Sequence, residues 1–467
     1  MEQRFVSIAQ NTSRPCLLDA MGRRLFLRGV NVNALIEYAS DYQESVPLAE
    51  ADFMEMRALG FNLIRLPISW SRLMPDPGAI DGHYLARVEH VLSLAASYGL
   101  YVIIDFHQDN YARNLAPTRE SDGAPLWAVQ TNGRWNWKMS GNPAVEAAWS
   151  HFWKNRVVAG KGLQDHYLDA LTAVAQRFSF SPAVLAYDLM NEPDPGWALP
   201  GYFEARYLFP FYARAIGRVR EVDTNHLIMF EPSVIRDATN VAIQCSRPFS
   251  DDTKLVYGPH CYTEVASPPF HPVGSRRNPC LYACYWTAAK EAQGFGTPWL
   301  FGEFGVDPTP AGDGWIRDQM RFQHQFGVGG AFWVWKQRPG FYHWGVVHPD
   351  GSLRRSSRRA EILSQPRVLA LSGSVDRVSY DEMRRTLSVS GRMAPSASAS
   401  GLLYASGFAY TKRPEIAIAQ ADTWRPVRPS EIESLRYDTR PKAVTGWRMA
   451  LNLSGIEGTY RLIMHPA

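Results

Sequence analysis

Eight short apolar runs recur between Leu27 and Lys336, and this repetition is the feature that most constrains the fold. Segments with the apolar spacing of helices, such as Tyr84 to Tyr98 and Gln164 to Phe178, separate the runs. The eight runs cover Leu27 to Asn33, Asn62 to Ser69, Tyr101 to Gln108, Val184 to Glu192, His226 to Ser233, Leu255 to Tyr262, Trp299 to Val306 and Gly330 to Lys336. Alternating strands and helices predict a parallel sheet with right-handed crossovers, and eight repeats predict a closed (β/α)8 TIM barrel.

The pattern of predicted secondary structure changes after residue 362. Short strand-like runs, beginning with Val368 to Leu371 and Thr386 to Ser390, are punctuated by Pro, Gly and Ser and continue to Met464. We therefore predict two domains, a (β/α)8 barrel catalytic domain at residues 1–362 and a C-terminal antiparallel β-sandwich at residues 363–467. A chain of 467 residues is long enough for both.

Composition excludes several classes of protein. Apolar residues make up 46% of the chain and charged residues 20%, as in ordinary folded proteins. With 49 basic against 45 acidic residues the net charge is only +4, so no nucleic-acid partner is predicted. No apolar run approaches the roughly 18–20 residues of a membrane helix. The first residues, Met1 to Phe5, lack the charged-then-apolar layout of a signal peptide.

Polar and aromatic side chains collect at the carboxyl ends of the predicted strands. All those ends share one face of a barrel, so residues far apart in the chain converge there. Each residue alone has a structural explanation, such as a strand-end ion pair for Arg65, but their shared position predicts a binding site. The candidates are Arg65, His107, Asp109, Asn191, Glu192, His260, Tyr262, Glu303, Trp333 and Trp335.

Two of these residues suit the chemistry of glycoside hydrolysis. Hydrolysis with retention needs two carboxyl groups roughly 5–5.5 Å apart, one as nucleophile and one as acid and then base. Glu192 follows the fourth predicted strand in Asn191-Glu192-Pro193, and Glu303 lies on the seventh. We expect a raised pKa for Glu192, the acid/base, and an ionised nucleophile at Glu303, stabilised by Tyr262 and Arg65.

Other candidate residues can bind the sugar. Asn191 can donate to the sugar 2-hydroxyl, and Trp333 or Trp335 can stack on the sugar ring. Because two carboxylates and water complete the reaction, we expect no cofactor and no metal.

The ordered set of these residues resembles the retaining barrel glycosidases that include glycoside hydrolase family 5, over about residues 27–345. The resemblance implies that Glu192 is the acid/base and Glu303 the nucleophile. It also implies a supporting, substrate-binding shell made of Arg65, His107, Asn191, His260, Tyr262 and a strand-eight tryptophan, assigned here to Trp335.

Finer features are similar to the endoglycoceramidase branch of that family, whose members cleave the bond between a glycan and ceramide. These features are residues 105–109 (DFHQD), 124–128 (APLWA) and 162–167 (GLQDHY). The resemblance implies that Asp109 binds hydroxyls of the first sugar and that the substrate is a glycosphingolipid. Separately, we expect a secreted or extracellular protein whose signal peptide has been trimmed. Residues 33–37 (NALIE) lack the lysine of that pattern, so glucosyl or galactosyl preference stays open.

Two features bear on the lipid part of such a substrate. The longest interval, between Gln108 and Val184, carries five tryptophans that could form an apolar slot for ceramide or simply pack together. They are Trp127, Trp135, Trp137, Trp149 and Trp153. The basic cluster of arginines 354, 355, 358 and 359 is either a solvated face or a transient contact with anionic membrane lipid. We expect a monomer.

Two alternatives remain open. One is a β-glucanase or exo-β-glycosidase of the same family, acting on polysaccharide or oligosaccharide. The other is a non-catalytic carbohydrate-binding barrel, against which the presence of both glutamates argues.

Overall fold

The computed structural model describes residues 5–9, 14–36, 46–115, 122–134, 142–241, 246–262, 279–337, 344–354, 358–420, 423–439 and 444–467. Its strands are β1 (Ser7–Ala9), β2 (Cys16–Leu18), β3 (Arg24–Leu25), β4 (Arg28–Asn31), β5 (Leu63–Ser69), β6 (Tyr101–His107), β7 (Val157–Val158), β8 (Lys161–Gly162), β9 (Val184–Asp188), β10 (Leu227–Phe230), β11 (Leu255–Tyr257), β12 (Phe301–Phe304), β13 (Gly330–Phe332), β14 (Arg367–Leu371), β15 (Ser374–Asp381), β16 (Thr386–Met393), β17 (Ser400–Ser406), β18 (Glu415–Gln420), β19 (Thr423–Pro426), β20 (Ile432–Thr439), β21 (Val444–Asn452) and β22 (Gly458–His465). Its α-helices are α1 (Glu50–Ala58), α2 (Trp70–Leu73), α3 (Gly82–Ser97), α4 (Pro143–Trp153), α5 (Leu163–Phe178), α6 (Phe209–Arg220), α7 (Val234–Thr239), α8 (Pro279–Phe295), α9 (Pro310–Phe326) and α10 (Arg359–Leu363).

The eight predicted barrel strands are confirmed and lie in one parallel sheet. Their spatial order is β11-β10-β9-β6-β5-β4-β13-β12, and bridges between Tyr257 and Trp299 and between Cys261 and Phe304 join its two ends. The result is a TIM-like barrel. Every residue of β5, β9 and β10 is buried, because packed side chains fill the inside and helices cover the outside.

The observed strands are shorter than the predicted runs. β9 ends at Asp188 and β11 at Tyr257, so Asn191, Glu192 and Tyr262 lie in the loops that follow. These loops leave the carboxyl face of the barrel, where binding sites are built in this architecture.

Local sequence explains where the main helices begin and end. The Asp81 carboxylate caps α3 by accepting the N–H groups of His83 and Tyr84. Helix α9 begins after Thr309, whose hydroxyl accepts the N–H of Gly312, and ends at Gly327 with φ +67°, a conformation that glycine adopts without strain.

The C-terminal part consists of antiparallel sheets that share an apolar core. A five-stranded sheet has the order β15-β16-β22-β18-β19, and a seven-stranded sheet has the order β1-β2-β3-β14-β17-β21-β20. Leu403 and Met449 of the larger sheet and Leu387 and Leu462 of the smaller one lie in the same buried cluster. The predicted strands of this region are present, and β15, β19 and β20 were not predicted.

The N-terminal strands were not predicted either, and their position cuts across the predicted division at residue 362. Leu25 of β3 pairs with Ala370 of β14, so the two ends of the chain contribute to one sheet. The sequence analysis assigned β1 to β3 to the barrel domain. The structure instead makes them part of the sheet that packs beside it.

The predicted basic cluster at the junction is not a single charged face. Arg359 is fully buried and donates to the carbonyl oxygen of Val306 at 2.6 Å, while Arg358 forms an ion pair with Glu361. Arg355 lies outside the described residues. Within the part of the chain that the structure describes, no helix is both long enough and apolar enough to cross a membrane.

Candidate active site

The structure brings eight of the predicted site residues together at the carboxyl face of the barrel. Arg65 and Glu303 lie on strands, and His107 is the last residue of β6. The others lie in the loops that follow β6, β9 and β11. The eight residues are Arg65, His107, Asp109, Asn191, Glu192, His260, Tyr262 and Glu303.

The two glutamates face the same imidazole. Nδ1 of His260 is 2.8 Å from Oε1 of Glu192 and 3.7 Å from Oε2 of Glu303, so these two carboxylate oxygens are at most about 6.5 Å apart. This limit fits the roughly 5–5.5 Å between carboxyl groups in retaining glycosidases better than the roughly 6.5–9.5 Å in inverting ones. Glu192 is the more accessible carboxylate, with 20% of its side chain exposed against 6% for Glu303.

Glu303 is held by two donors, Arg65 of β5 and Tyr262 of the loop that follows β11. Nη1 of Arg65 lies 2.6 Å from Oε1, and the hydroxyl of Tyr262 donates to Oε2 at 2.9 Å. Burial raises the pKa of Glu303, and the nearby Glu192 carboxylate adds to this, while the cations His260 and Arg65 act in the opposite direction. The net direction is upward, contrary to the expectation from the sequence, because desolvation outweighs the cations.

Arg65 is the electrostatic centre of the site. Its guanidinium is fully buried and contacts Asp105 at 3.0 Å, Asp188 at 2.9 Å and Glu231 at 2.7 Å, in addition to Glu303. A single buried cation thus holds four carboxylates in place. Burial alone would lower the pKa of Arg65, but these carboxylates raise it well above its usual value.

Glu192 follows β9 in a strained backbone conformation, with φ +40°. Its carbonyl oxygen accepts from Nε2 of Gln108 at 2.9 Å, and its N–H donates to Oε2 of Glu231 at 2.7 Å. The neighbouring Asn191 side chain accepts from Arg65 and donates to the carbonyl of Gln108, each at 2.9 Å. These bonds orient the acid/base candidate from both sides.

Glu231, just after β10, is the main site residue that the sequence analysis missed. It is fully buried and contacts Arg65, the N–H of Glu192 and Nε2 of His260, the last at 3.1 Å. Burial acts to raise its pKa, but His260 and Arg65 outweigh this and lower the pKa to about 2. A sequence signal was available, because residues 190–193 (MNEP) and 229–232 (MFEP) share the pattern Met-x-Glu-Pro after consecutive barrel strands.

Two aspartates contact a second histidine of the site, His107. Nδ1 of His107 lies 2.7 Å from Asp105, and Nε2 lies 3.2 Å from Asp109. Burial would lower the pKa of His107, but the two aspartates raise it well above its usual value. Asp109 is the more exposed of the two aspartates, with 30% of its side chain accessible.

Trp335 is not in the site, and its assignment there was wrong. Its side chain is fully buried between the barrel and α1, where Nε1 donates to Asp52 at 3.1 Å and the ring packs edge-on against Phe61. Trp333 occupies the predicted position instead. Its ring is stacked on His107 with the centroids 5.4 Å apart.

Of the two interpretations of the tryptophan-rich interval, a lipid slot or simple packing, the described residues favour packing. Trp149 and Trp153 are buried and stack on each other. Both also pack against Phe152. Trp127 is half-buried against Trp70. Trp135 and Trp137 lie outside the described residues. The described tryptophans of this interval therefore belong mainly to its core.

Two groups of carboxylate and imidazole ligands lie close enough to share a cation. In the first, Asp105, Asp188 and Glu231, the guanidinium of Arg65 already supplies the positive charge. In the second, Glu192, Asp237 and His260, the pKa of His260 is raised well above its usual value by Glu231 and Glu303, against the effect of burial. A protonated imidazole does not bind a metal ion.

A TIM-like barrel with two glutamates facing each other across its carboxyl face defines a glycosidase-type site. Residues 18–339 match the family Cellulase (glycosyl hydrolase family 5), and the chain belongs to this family.

Similar proteins carry related names. The endoglycoceramidase of Cyanea nozakii is 29% identical over 261 residues, which are 48% of this chain and 50% of that protein. Endoglycoceramidase I of Rhodococcus hoagii (strain 103S) is 33% identical over 188 residues, 38% of this chain and 36% of that protein. The matched part of the chain thus spans about half the length of these curated relatives, or less.

Two solved structures resemble almost the whole chain. The crystal structure of an endogalactoceramidase has a TM-score of 0.80 at 26% identity, covering 99% of this chain and 100% of that one. Endo-glycoceramidase II from Rhodococcus sp., in complex with ganglioside GM3, has a TM-score of 0.80 at 25% identity, covering 97% and 100%. Another structure of the latter enzyme holds a lactosyl-enzyme intermediate.

Proposed function

We propose that this protein is a retaining glycosidase that cleaves the β-glycosidic bond between the glycan and the ceramide of glycosphingolipids. The observation that carries the proposal is the placement of Glu192 and Glu303 within reach of one imidazole nitrogen. The similarity to solved endoglycoceramidases over nearly the whole chain supports the choice of substrate.

Each residue has a defined task in this reaction. The Glu303 carboxylate attacks the anomeric carbon while Glu192 transfers its proton to the departing ceramide oxygen, giving a glycosyl ester on Glu303. Glu192 then takes a proton from water, whose oxygen attacks the anomeric carbon and releases Glu303. Arg65 and Tyr262 orient the nucleophile, and Asn191, His107 and Asp109 face the sugar. Trp333 flanks the ring.

We propose the ceramide site in an exposed apolar groove between the end of α4 and the segment that follows Glu192 in the chain. The groove has a volume of about 390 Å³ and lies in the segment that follows β9, with Trp197, Leu199 and Tyr202 more than half exposed at its rim. An exposed apolar patch of this kind beside a polar cleft suits a substrate with a sugar head and lipid chains. It also supports transient contact with a membrane surface.

Further proposals concern the protein as a whole. The two antiparallel sheets form a β-sandwich around their common core, as a domain that combines the residues from about 363 onward with the N-terminal strands β1 to β3 and packs on the barrel. We propose a secreted monomer.

An assay of intact glycosphingolipids tests the proposed reaction. Purified protein should release an intact oligosaccharide or sugar, with free ceramide, from members of a panel differing in the ceramide-linked sugar. The panel also decides between glucosyl and galactosyl preference. Release of sugar from β-glucan, with every glycosphingolipid untouched in detergent, would replace the proposal by the polysaccharide alternative.

The groove predicts a selective effect of Trp197→Ala. We expect KM for a glycosphingolipid in mixed micelles to rise by about tenfold, because burial of an aromatic side chain against lipid is lost. Turnover of a soluble aryl glycoside should not change. Phe180→Ala removes an 80% exposed ring on the loop that precedes β9, at the opposite face, and serves as the matched control. Equal effects on both substrates would contradict the proposed groove.

The raised pKa of Glu303 predicts the acidic limb of the pH profile. The nucleophile must be ionised, so kcat/KM should fall as the pH drops through a value above the 4.5 of an ordinary glutamate. Because His260 lowers the pKa of Glu303, His260→Asn should move this limb to still higher pH. The measurement is kcat/KM for a soluble aryl glycoside from acid to neutral pH. A limb at or below 4.5, unchanged in the variant, would show that Glu303 does not control it.

A further inference from the structure

Two arginines are buried together at the junction of the barrel and the C-terminal sheets. Arg28 is the first residue of β4, at the face of the barrel opposite to the glutamates, and Arg367 is the first residue of β14. Each is only 3% exposed. The carbonyl oxygen of Leu363 accepts from both guanidinium groups, at 3.5 and 3.4 Å, so the two charges are neighbours.

The hydrogen bonds of the Arg28 guanidinium are long and all involve neutral groups. Its Nε lies 3.2 Å from Oε1 of Gln323, and its Nη2 lies 3.4 Å from Nε2 of His324. Arg367 donates to the carbonyl oxygens of Gly60 and Gln365, while its buried Nε has no hydrogen-bond partner. In the described ranges, no carboxylate forms an ion pair with either arginine.

Without a counter-ion, the two guanidinium groups have only neutral hydrogen-bond partners and, for Arg367, the ring faces of Tyr404 and Phe61 in place of water. Burying a charge costs free energy unless an opposite charge or strong hydrogen bonds replace water, and here two like charges are buried side by side. Burial and the charge of Arg367 lower the pKa of Arg28 well below its usual value. Burial, Arg28 and Arg367 likewise lower the pKa of His324, so its ring is neutral and adds no charge.

A small cavity lies between these groups. It has a volume of about 20 Å³ and is lined by Arg28, His324 and Arg367, with Leu27, Val368 and Val378 among its apolar walls. This is room for one water molecule or one monatomic ion. We propose that the cavity binds a small inorganic anion of the size of chloride, which links the barrel to the C-terminal sheets.

Thermal unfolding of the full chain tests the anion site. At constant ionic strength and sodium concentration, replacing gluconate by chloride or bromide should raise Tm saturably by a few degrees, because a ligand of the folded state stabilises it. Gluconate is too large for the cavity and serves as the reference anion. Arg28→Met should abolish the difference between chloride and gluconate.

Arg448→Met is the matched control, since Arg448 is also buried at this junction but does not line the cavity. It should lower Tm while the chloride effect persists. Bromide diffraction from wild-type crystals gives a second readout, an anomalous peak between Arg28 and Arg367, should the Arg28 variant fail to fold. No halide effect on wild-type Tm and no anomalous peak would overturn the proposal in favour of a bound water.

A different observation concerns Glu231, whose contacts converge on the acid/base. Its carboxylate accepts the N–H of Glu192, a residue with strained φ, and contacts Arg65 and His260. His260 in turn contacts both glutamates. We infer, on the basis of the proposed function, that Glu231 is a positioning residue, which fixes the backbone of Glu192 and the protonated state of His260.

The test is Glu231→Gln, which keeps the size of the side chain and removes its charge. We expect kcat to fall by about 10²-fold with KM little changed, because misplacement of a catalytic group acts on the transition state. The acidic limb should also move, since His260 loses a carboxylate that favours its charged form. Active-site titration with a glycosyl inhibitor that traps the nucleophile gives kcat per folded molecule.

Glu55→Gln is the matched control, a buried glutamate of α1 outside the site. It should change stability without changing kcat per titrated site or the pH profile. If wild-type protein hydrolyses no glycoside, the proposed function fails. If the wild type is active and Glu231→Gln has the same kcat and pH profile, only the positioning role fails.

Discussion

We expect Glu303→Gln to reduce turnover of a soluble aryl β-glycoside by at least about 10⁴-fold, while the protein stays folded. The amide keeps the shape of the side chain but cannot form the glycosyl ester. The measurement is kcat with circular dichroism as the test of folding. Glu415→Gln, an exposed glutamate of β18, should leave kcat unchanged. A Glu303 variant with wild-type turnover would remove the nucleophile assignment.

Azide distinguishes the roles of the two glutamates. In Glu303→Gly, azide replaces the missing nucleophile and attacks the anomeric carbon directly, so the product should be the glycosyl azide with inverted configuration. In Glu192→Ala, the ester on Glu303 still forms from substrates with a good leaving group, and azide should give the glycosyl azide with retained configuration. NMR of the products decides, and the opposite pair of configurations would exchange the roles.

Arg65→Met has the largest expected effect on stability. The variant leaves four buried carboxylates without their shared cation, and such a loss costs about 3–5 kcal/mol of the free energy of unfolding. Without Arg65 these carboxylates hold their protons to higher pH in the folded protein than in the unfolded chain. Their cost therefore grows as the pH rises above about 4, and the deficit should be largest at neutral pH. Urea unfolding at acid and neutral pH measures it.

Arg177→Met is the control for this experiment. Arg177 forms an exposed ion pair with Glu89, and an exposed pair contributes at most about 1 kcal/mol. A similar loss in both variants, or a deficit at Arg65 that does not depend on pH, would show that the carboxylate cluster tolerates the absence of its cation.

Much of the site could be predicted because chain order and spatial position are linked in a barrel. Eight strands alternating with helices point the same way, so a polar residue after a strand lies at the carboxyl face wherever it occurs in the sequence. That rule placed Glu192, which follows β9, together with Arg65 and Glu303, which lie within β5 and β12, although 238 residues separate Arg65 from Glu303. It also covers Glu231, whose Met-x-Glu-Pro pattern repeats that of Glu192 and was overlooked.

The choice between Trp333 and Trp335 could not be made in this way. β13 ends at Phe332, so both tryptophans follow the regular strand and its alternation no longer determines which side each ring faces. The observed packing decides: Trp335 pairs with Asp52 of α1, and Trp333 stacks on His107. Trp149 and Trp153 of the insertion are likewise buried, and the rings that Trp153 contacts include Phe203 and Phe211 from a distant segment of the chain.

The sequence by itself determined the barrel, the chain order of its strands and the pair of glutamates, since these depend on local periodicity and on strand ends. Only the tertiary structure decided in which direction the pKa values of the site residues are shifted and which charged groups contact each other. The pKa of Glu303 depends on its burial and on His260 and Arg65, and the pairing of β3 with β14 joins the ends of the chain. Such effects arise from distances between residues far apart in the chain, which local patterns do not encode.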